Sequence, residues 1–99
     1  MLLLPMLVGF QLIAANQVPA LDVRPGCRAT TDLAGMSEQE CLNDEKTARE
    51  DLAREWAQFS ADDKATCTDE TKNFNPSYVE LLTCLETARD AKIPYSPGK

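Results

Sequence analysis

The chain opens on a run without charge, LLLPMLVGFQLIAA over residues 2–15, and its first ionisable side chain is Asp22. The run has the length of a signal-peptide core, and Pro5 and Gly9 break it short of the roughly 20 unbroken apolar residues a membrane helix needs. The pattern predicts a cleaved leader over residues 1–20, cut after Ala20 of Val18-Pro19-Ala20, with Ala15 as the other compatible point. No Lys or Arg precedes the run, whereas a leader normally starts basic.

Past the leader the pattern turns polar and then helical. Residues 21–36, LDVRPGCRATTDLAGM, place Pro25 and Gly26 before Cys27 and end on Gly35, which predicts a loop segment with at most one helical turn. Ser37-Glu38-Gln39-Glu40 has the S-x-x-E form of a capping box, where the serine oxygen accepts a free backbone N–H and the glutamate reaches back. A first helix is predicted over about 38–59. Cys41, Ala48, Leu52, Trp56 and Phe59 fall within an arc of about 80° on its wheel, so Cys41 faces the core. Glu45–Arg49 and Glu50–Arg54 are spaced as i, i+4 ion pairs. Glu45 breaks the polarity pattern because its phase puts a carboxylate inside the apolar arc. The reading takes it as an early-turn residue exposed by fraying, with a buried functional carboxylate as the alternative.

Ser60-Ala61-Asp62-Asp63 repeats the start signal and opens a second, short helix over about 61–71, with Ala61, Ala65, Cys67 and Thr68 as its inward candidates. After the turn signal Lys72-Asn73-Phe74-Asn75-Pro76, Ser77-Tyr78-Val79-Glu80 starts a third helix over about 77–92. Its apolar stripe is Tyr78, Leu81, Leu82, Cys84, Leu85 and Ala88. Residues 93–99, with Pro94 and Pro97, are expected to be a mobile tail. No alternating strand pattern competes, so the expected fold is all-α: a small three-helix domain over 37–92.

Length and cysteine count add a covalent element. The 79 residues left after the predicted cut form one small domain, and small exported domains often add disulfides because their cores are thin. Four cysteines allow three connectivities. A hairpin turning near residue 74 brings Cys67 and Cys84 to similar heights and leaves Cys27 for Cys41; the rival pairs Cys41 with Cys84 and Cys27 with Cys67. There is no C-x-x-C and no histidine, so neither a thioredoxin-like redox motif nor a mixed Cys/His zinc site has its usual residues.

The pattern Cys41, then AREDLAREWAQFSADDKATC over 48–67, then PSYVELLTCLETARDA over 76–91, resembles a group of small exported helical proteins of rhizobia-like alphaproteobacteria. Its most specific part is PSYVELLTCLE. The resemblance implies a periplasmic or secreted helical domain with paired cysteines, and it implies no activity.

Sixteen acidic against ten basic residues give a net charge of −6, which disfavours nucleic acid and anionic membrane as partners. Asp62, Asp63, Asp69 and Glu70 lack the spacing of a calcium loop, and acidic residues near a helix start, such as Asp62 and Asp63, are ordinary dipole partners, so no metal or other cofactor is expected. Without histidine the usual neutral-pH general base is missing, and catalysis is not expected. The expected function is a protein-interaction module whose candidate surface is Trp56, Phe59, Phe74 and Tyr78, the other reading being that these aromatics fill the core. An acid- or envelope-stress chaperone of the periplasm is the alternative.

Overall fold

The computed structural model describes residues 17–92, apart from the side chains of residues 32–34. Within them run four α-helices: α1 (Arg24–Ala34), α2 (Glu38–Glu55), α3 (Ala61–Asn73) and α4 (Tyr78–Ala91), with a 3₁₀ turn at Trp56–Gln58 between α2 and α3. No strand occurs among the described residues. The chain is therefore all-α and disulfide-stapled, with one helix more than the three expected. Most of the predicted leader, residues 1–16, and the predicted tail, 93–99, lie outside the described residues.

The additional helix, α1, corrects the loop expected over 21–36. Its turn-forming residues act as punctuation at the ends. Pro25 sits in the first turn, where a missing N–H leaves no hydrogen bond unmade, and Gly35 closes the helix at φ 71°, the left-handed conformation glycine adopts without strain. Thr30 and Thr31 donate their hydroxyls to the carbonyls of Gly26 and Cys27, each at 2.9 Å, so both threonines satisfy themselves within the helix. Cys27 is buried and bonded to Cys41 of α2, which fixes the helix to its neighbour.

All three serine-led starts form, each within a residue of its predicted place. Ser37 makes the full reciprocal box: it accepts from Glu40 N–H at 3.0 Å while its own N–H donates to Glu40 Oε1 at 3.0 Å. Ser60 and Ser77 cap in the forward direction only, accepting from Asp63 and Glu80 N–H at 3.1 and 3.2 Å. At the other end of the first predicted helix, the last turn tightens into 3₁₀ and swings Phe59 inward, where it is 4 % exposed.

Helix α4 is the centre of the packing, with α2 and α3 both against it and α1 against α2. Leu52 of α2 and Leu81 and Leu85 of α4 are fully buried, with Ala48, Phe59, Cys67 and Tyr78 around them. On α3 the inward residues are Cys67 and Thr71, one turn apart; Ala61 and Ala65, expected inside, are exposed. Residues 17–20, the end of the predicted leader, also touch this core. Val18 packs on it, and the Tyr78 hydroxyl donates to Pro19 O at 3.0 Å and accepts from Leu21 N–H at 2.8 Å.

The two disulfides join Cys27 to Cys41 and Cys67 to Cys84, with Cα separations of 5.5 and 5.8 Å. No cysteine is free. Each bridge ties two consecutive helices, α1 to α2 and α3 to α4. No helix among the described residues is long and apolar enough to cross a membrane. Disulfides of this kind fit an oxidising compartment.

Candidate functional site

The chemistry of the surface is set by where the four singled-out aromatics end up, and they part company. Phe59 and Tyr78 are core residues, 4 % and 6 % exposed. Trp56 is half-buried, edge-on to Phe59 with ring centroids 6.5 Å apart. Phe74 is 81 % exposed. Of the four-residue surface expected from sequence, Phe74 is thus the member left largely exposed: the 3₁₀ turn brings Phe59 inward, the α4 stripe brings Tyr78 inward, and Phe74 lies in the α3–α4 turn between them. Val79, one helical residue beyond Tyr78, is the other large apolar side chain open to solvent among the described residues.

Phe74 stands on a braced turn. Thr71 Oγ1 accepts from Ser77 N–H at 3.0 Å and donates to Ser77 O at 3.3 Å, closing the turn at its neck. Pro76 removes one backbone donor and biases Asn75 to an extended conformation. The Cys67–Cys84 bridge ties the two helix stems. A groove of about 280 Å³ at this turn is lined by Phe74, Glu70, Thr71 and Glu80 together with both cysteines of that bridge. A Glu70 carboxylate oxygen lies 3.6 Å from Cys84 Sγ, a contact without a shared proton since a disulfide sulfur carries none.

Glu45 is what holds the start of α4. The side chain is 7 % exposed, which corrects the expectation of a frayed, solvated residue. One carboxylate oxygen accepts from Ser77 Oγ at 2.6 Å; the other accepts from Tyr78 N–H at 2.5 Å and Val79 N–H at 3.4 Å. The carboxylate therefore occupies the positive end of the α4 dipole and takes up donors a helix start leaves free. Neither predicted i, i+4 pair is what these arginines make. Arg49 lies over the Tyr78 ring at 5.9 Å, and Arg54 pairs with Asp51.

A second polar cluster braces the opposite end of α4. Arg89 donates to Glu55 Oε1 at 3.0 Å and Gln58 Oε1 at 2.9 Å, and Lys92 pairs with Asp63. Beside it, burial pushes the Glu86 carboxyl above the usual range, helped by a hydrogen bond to and repulsion from Glu55. Asp63, Glu40 and Asp22 move the other way, lowered chiefly by Lys92, by the Ser37 backbone N–H and by the Arg24 side chain. A carboxyl lowered on folding stabilises the fold above its unfolded pKa, and that contribution disappears as pH falls through the folded value. Glu86 has the opposite sign: its charged form opposes folding at neutral pH and ceases to do so in acid. With three groups against one, and charge swinging from −6 toward +10 as the carboxylates protonate, the thermal midpoint is expected to fall steadily from about pH 5 to pH 2. Circular dichroism melts across that range check this; a midpoint that stays level or rises in acid contradicts it.

A larger groove of about 410 Å³ runs along α3 beside Trp56. Its aromatic is already covered by Lys64, whose Nζ lies 5.0 Å from the ring centroid, and Gln17 and Pro19 form one edge. The buried Trp56 Nε1 has no hydrogen-bond partner among the described residues. No group of three His, Cys, Asp or Glu among the described residues is placed to hold a metal ion. No family model, no curated protein and no solved structure matches the chain.

Proposed function

We propose that this is a small non-catalytic interaction module of the periplasm or the extracellular space, presenting the α3–α4 turn to a protein partner. The observation that carries the reading is Phe74: a phenylalanine left 81 % exposed on a turn braced by a disulfide, a threonine–serine ring and the Glu45 cap. Exposure of one apolar side chain is ordinary for a surface. Rigid presentation is the distinguishing element, because an aromatic held in place loses little conformational freedom on binding and serves as an anchor. The two disulfides and the exported-chain pattern of the N-terminus support the location.

The test uses the oxidised protein as bait in envelope extract beside its Phe74→Ser variant, whose fold is expected to be unchanged because the ring touches little. Partners retained by the wild type and lost by the variant support the module. Equal recovery by both counts against it, and client protection that ignores Phe74 and grows toward pH 2 favours an acid chaperone instead.

A further inference from the structure

The chain caps its aromatics with its own cations. Lys64 lies over Trp56 at 5.0 Å, Arg89 over Phe59 at 5.3 Å and Arg49 over Tyr78 at 5.9 Å, all within the range where a ring quadrupole attracts a positive charge. Phe74 alone among the described aromatics has no such partner. In place of a cation it shares the 280 Å³ groove with two carboxylate side chains, Glu70 of α3 and Glu80 of α4. Neither is in an ion pair among the described residues, and no lysine or arginine lines the groove.

We propose that this groove docks an arginine side chain of a basic partner protein, completing from outside the pairing that the other three aromatics make from within. The proposal rests on the interaction-module reading above and names its partner chemistry. Three features fit a guanidinium. Its planar face stacks on an aromatic ring, its forked donors match carboxylates bidentately, and its hydrocarbon stem lies against apolar surface such as a disulfide. Lysine offers only a compact, strongly hydrated point charge, so arginine is preferred. The overall charge of −6 adds attraction toward a basic partner at range.

A random dodecapeptide display library, selected on the oxidised protein, tests this without prior choice of sequence. The expected result is enrichment of peptides with arginine beside an apolar residue. Their affinity should fall about ten-fold in Phe74→Ser and in the Glu70→Gln/Glu80→Gln double variant, and should weaken as salt rises. All three positions are exposed, so melting curves should show these variants folded. Enriched peptides that are neutral or acidic, yet still depend on Phe74, overturn the arginine assignment and leave the interaction surface standing. Arginine peptides that ignore the Glu70/Glu80 change overturn the groove as their site. No enrichment over the Phe74→Ser protein overturns both readings.

Discussion

Reduction of the two disulfides, with the thiols blocked, is expected to abolish the cooperative melting transition at physiological temperature. The bridges close loops of 14 and 17 residues, and a loop of that size restricts the unfolded chain enough to be worth about 3 kcal/mol in the chain-entropy account. Two such bridges together rival the whole stability of a domain this small. The core they support is thin: Leu52, Leu81 and Leu85 are its only fully enclosed leucines among the described residues. Serine at both positions of one pair should lower the thermal midpoint by about 10–20 °C. Removing the 67–84 pair should in addition loosen the stems that present Phe74. A reduced, alkylated protein that melts within a few degrees of the oxidised one would show that the helices need no staples.

The second large effect is expected at Glu45. Alanine there leaves two backbone N–H groups and the Ser77 hydroxyl without their acceptor at a buried helix start, a loss of about 2–4 kcal/mol. Glutamine keeps an acceptor oxygen but gives up the charge at the positive end of the dipole, so it should recover roughly half of that loss. Aspartate, one methylene shorter, should recover less. Urea unfolding of the three variants ranks them directly. Alanine equal to or more stable than the wild type would mean that the buried carboxylate is retained for a purpose other than folding.

How far the sequence anticipated this molecule depends on whether a feature is local. The three serine-led starts were readable because each cap is made within four residues: Ser37 with Glu40, Ser60 with Asp63, Ser77 with Glu80. The 67–84 bridge was readable because a hairpin fixes the relative height of its two stems. Helix α1 is not legible in the sequence because Pro25 and Gly26 are turn formers and Thr30 and Thr31 are weak helix formers. Only the context decides, with Pro25 in the first turn, the threonines bonded back to their own helix and Cys27 anchored to α2.

Glu45 is the instructive case. Its wheel angle already placed it among the inward residues, so the anomaly was visible. Its partners lie 32 to 34 residues further on, and no local pattern reveals them. The aromatics are indistinguishable in the sequence for a related reason. Composition marks Trp56, Phe59, Phe74 and Tyr78 alike, and only the placement of the α3–α4 turn separates Phe74 from the three that pack and carry cations. The cation over each ring is likewise a contact the sequence does not announce.

The connectivity that organises all of this can be read from one non-reducing tryptic map, because every cysteine falls on a different peptide. Mass spectrometry should find the peptide ending at Arg28 linked to Ala29–Lys46, and Ala65–Lys72 linked to Asn73–Arg89. Linkage of Ala29–Lys46 to Asn73–Arg89 would contradict the account, since it would bind α2 to α4 through their cysteines and leave the Phe74 turn without its brace.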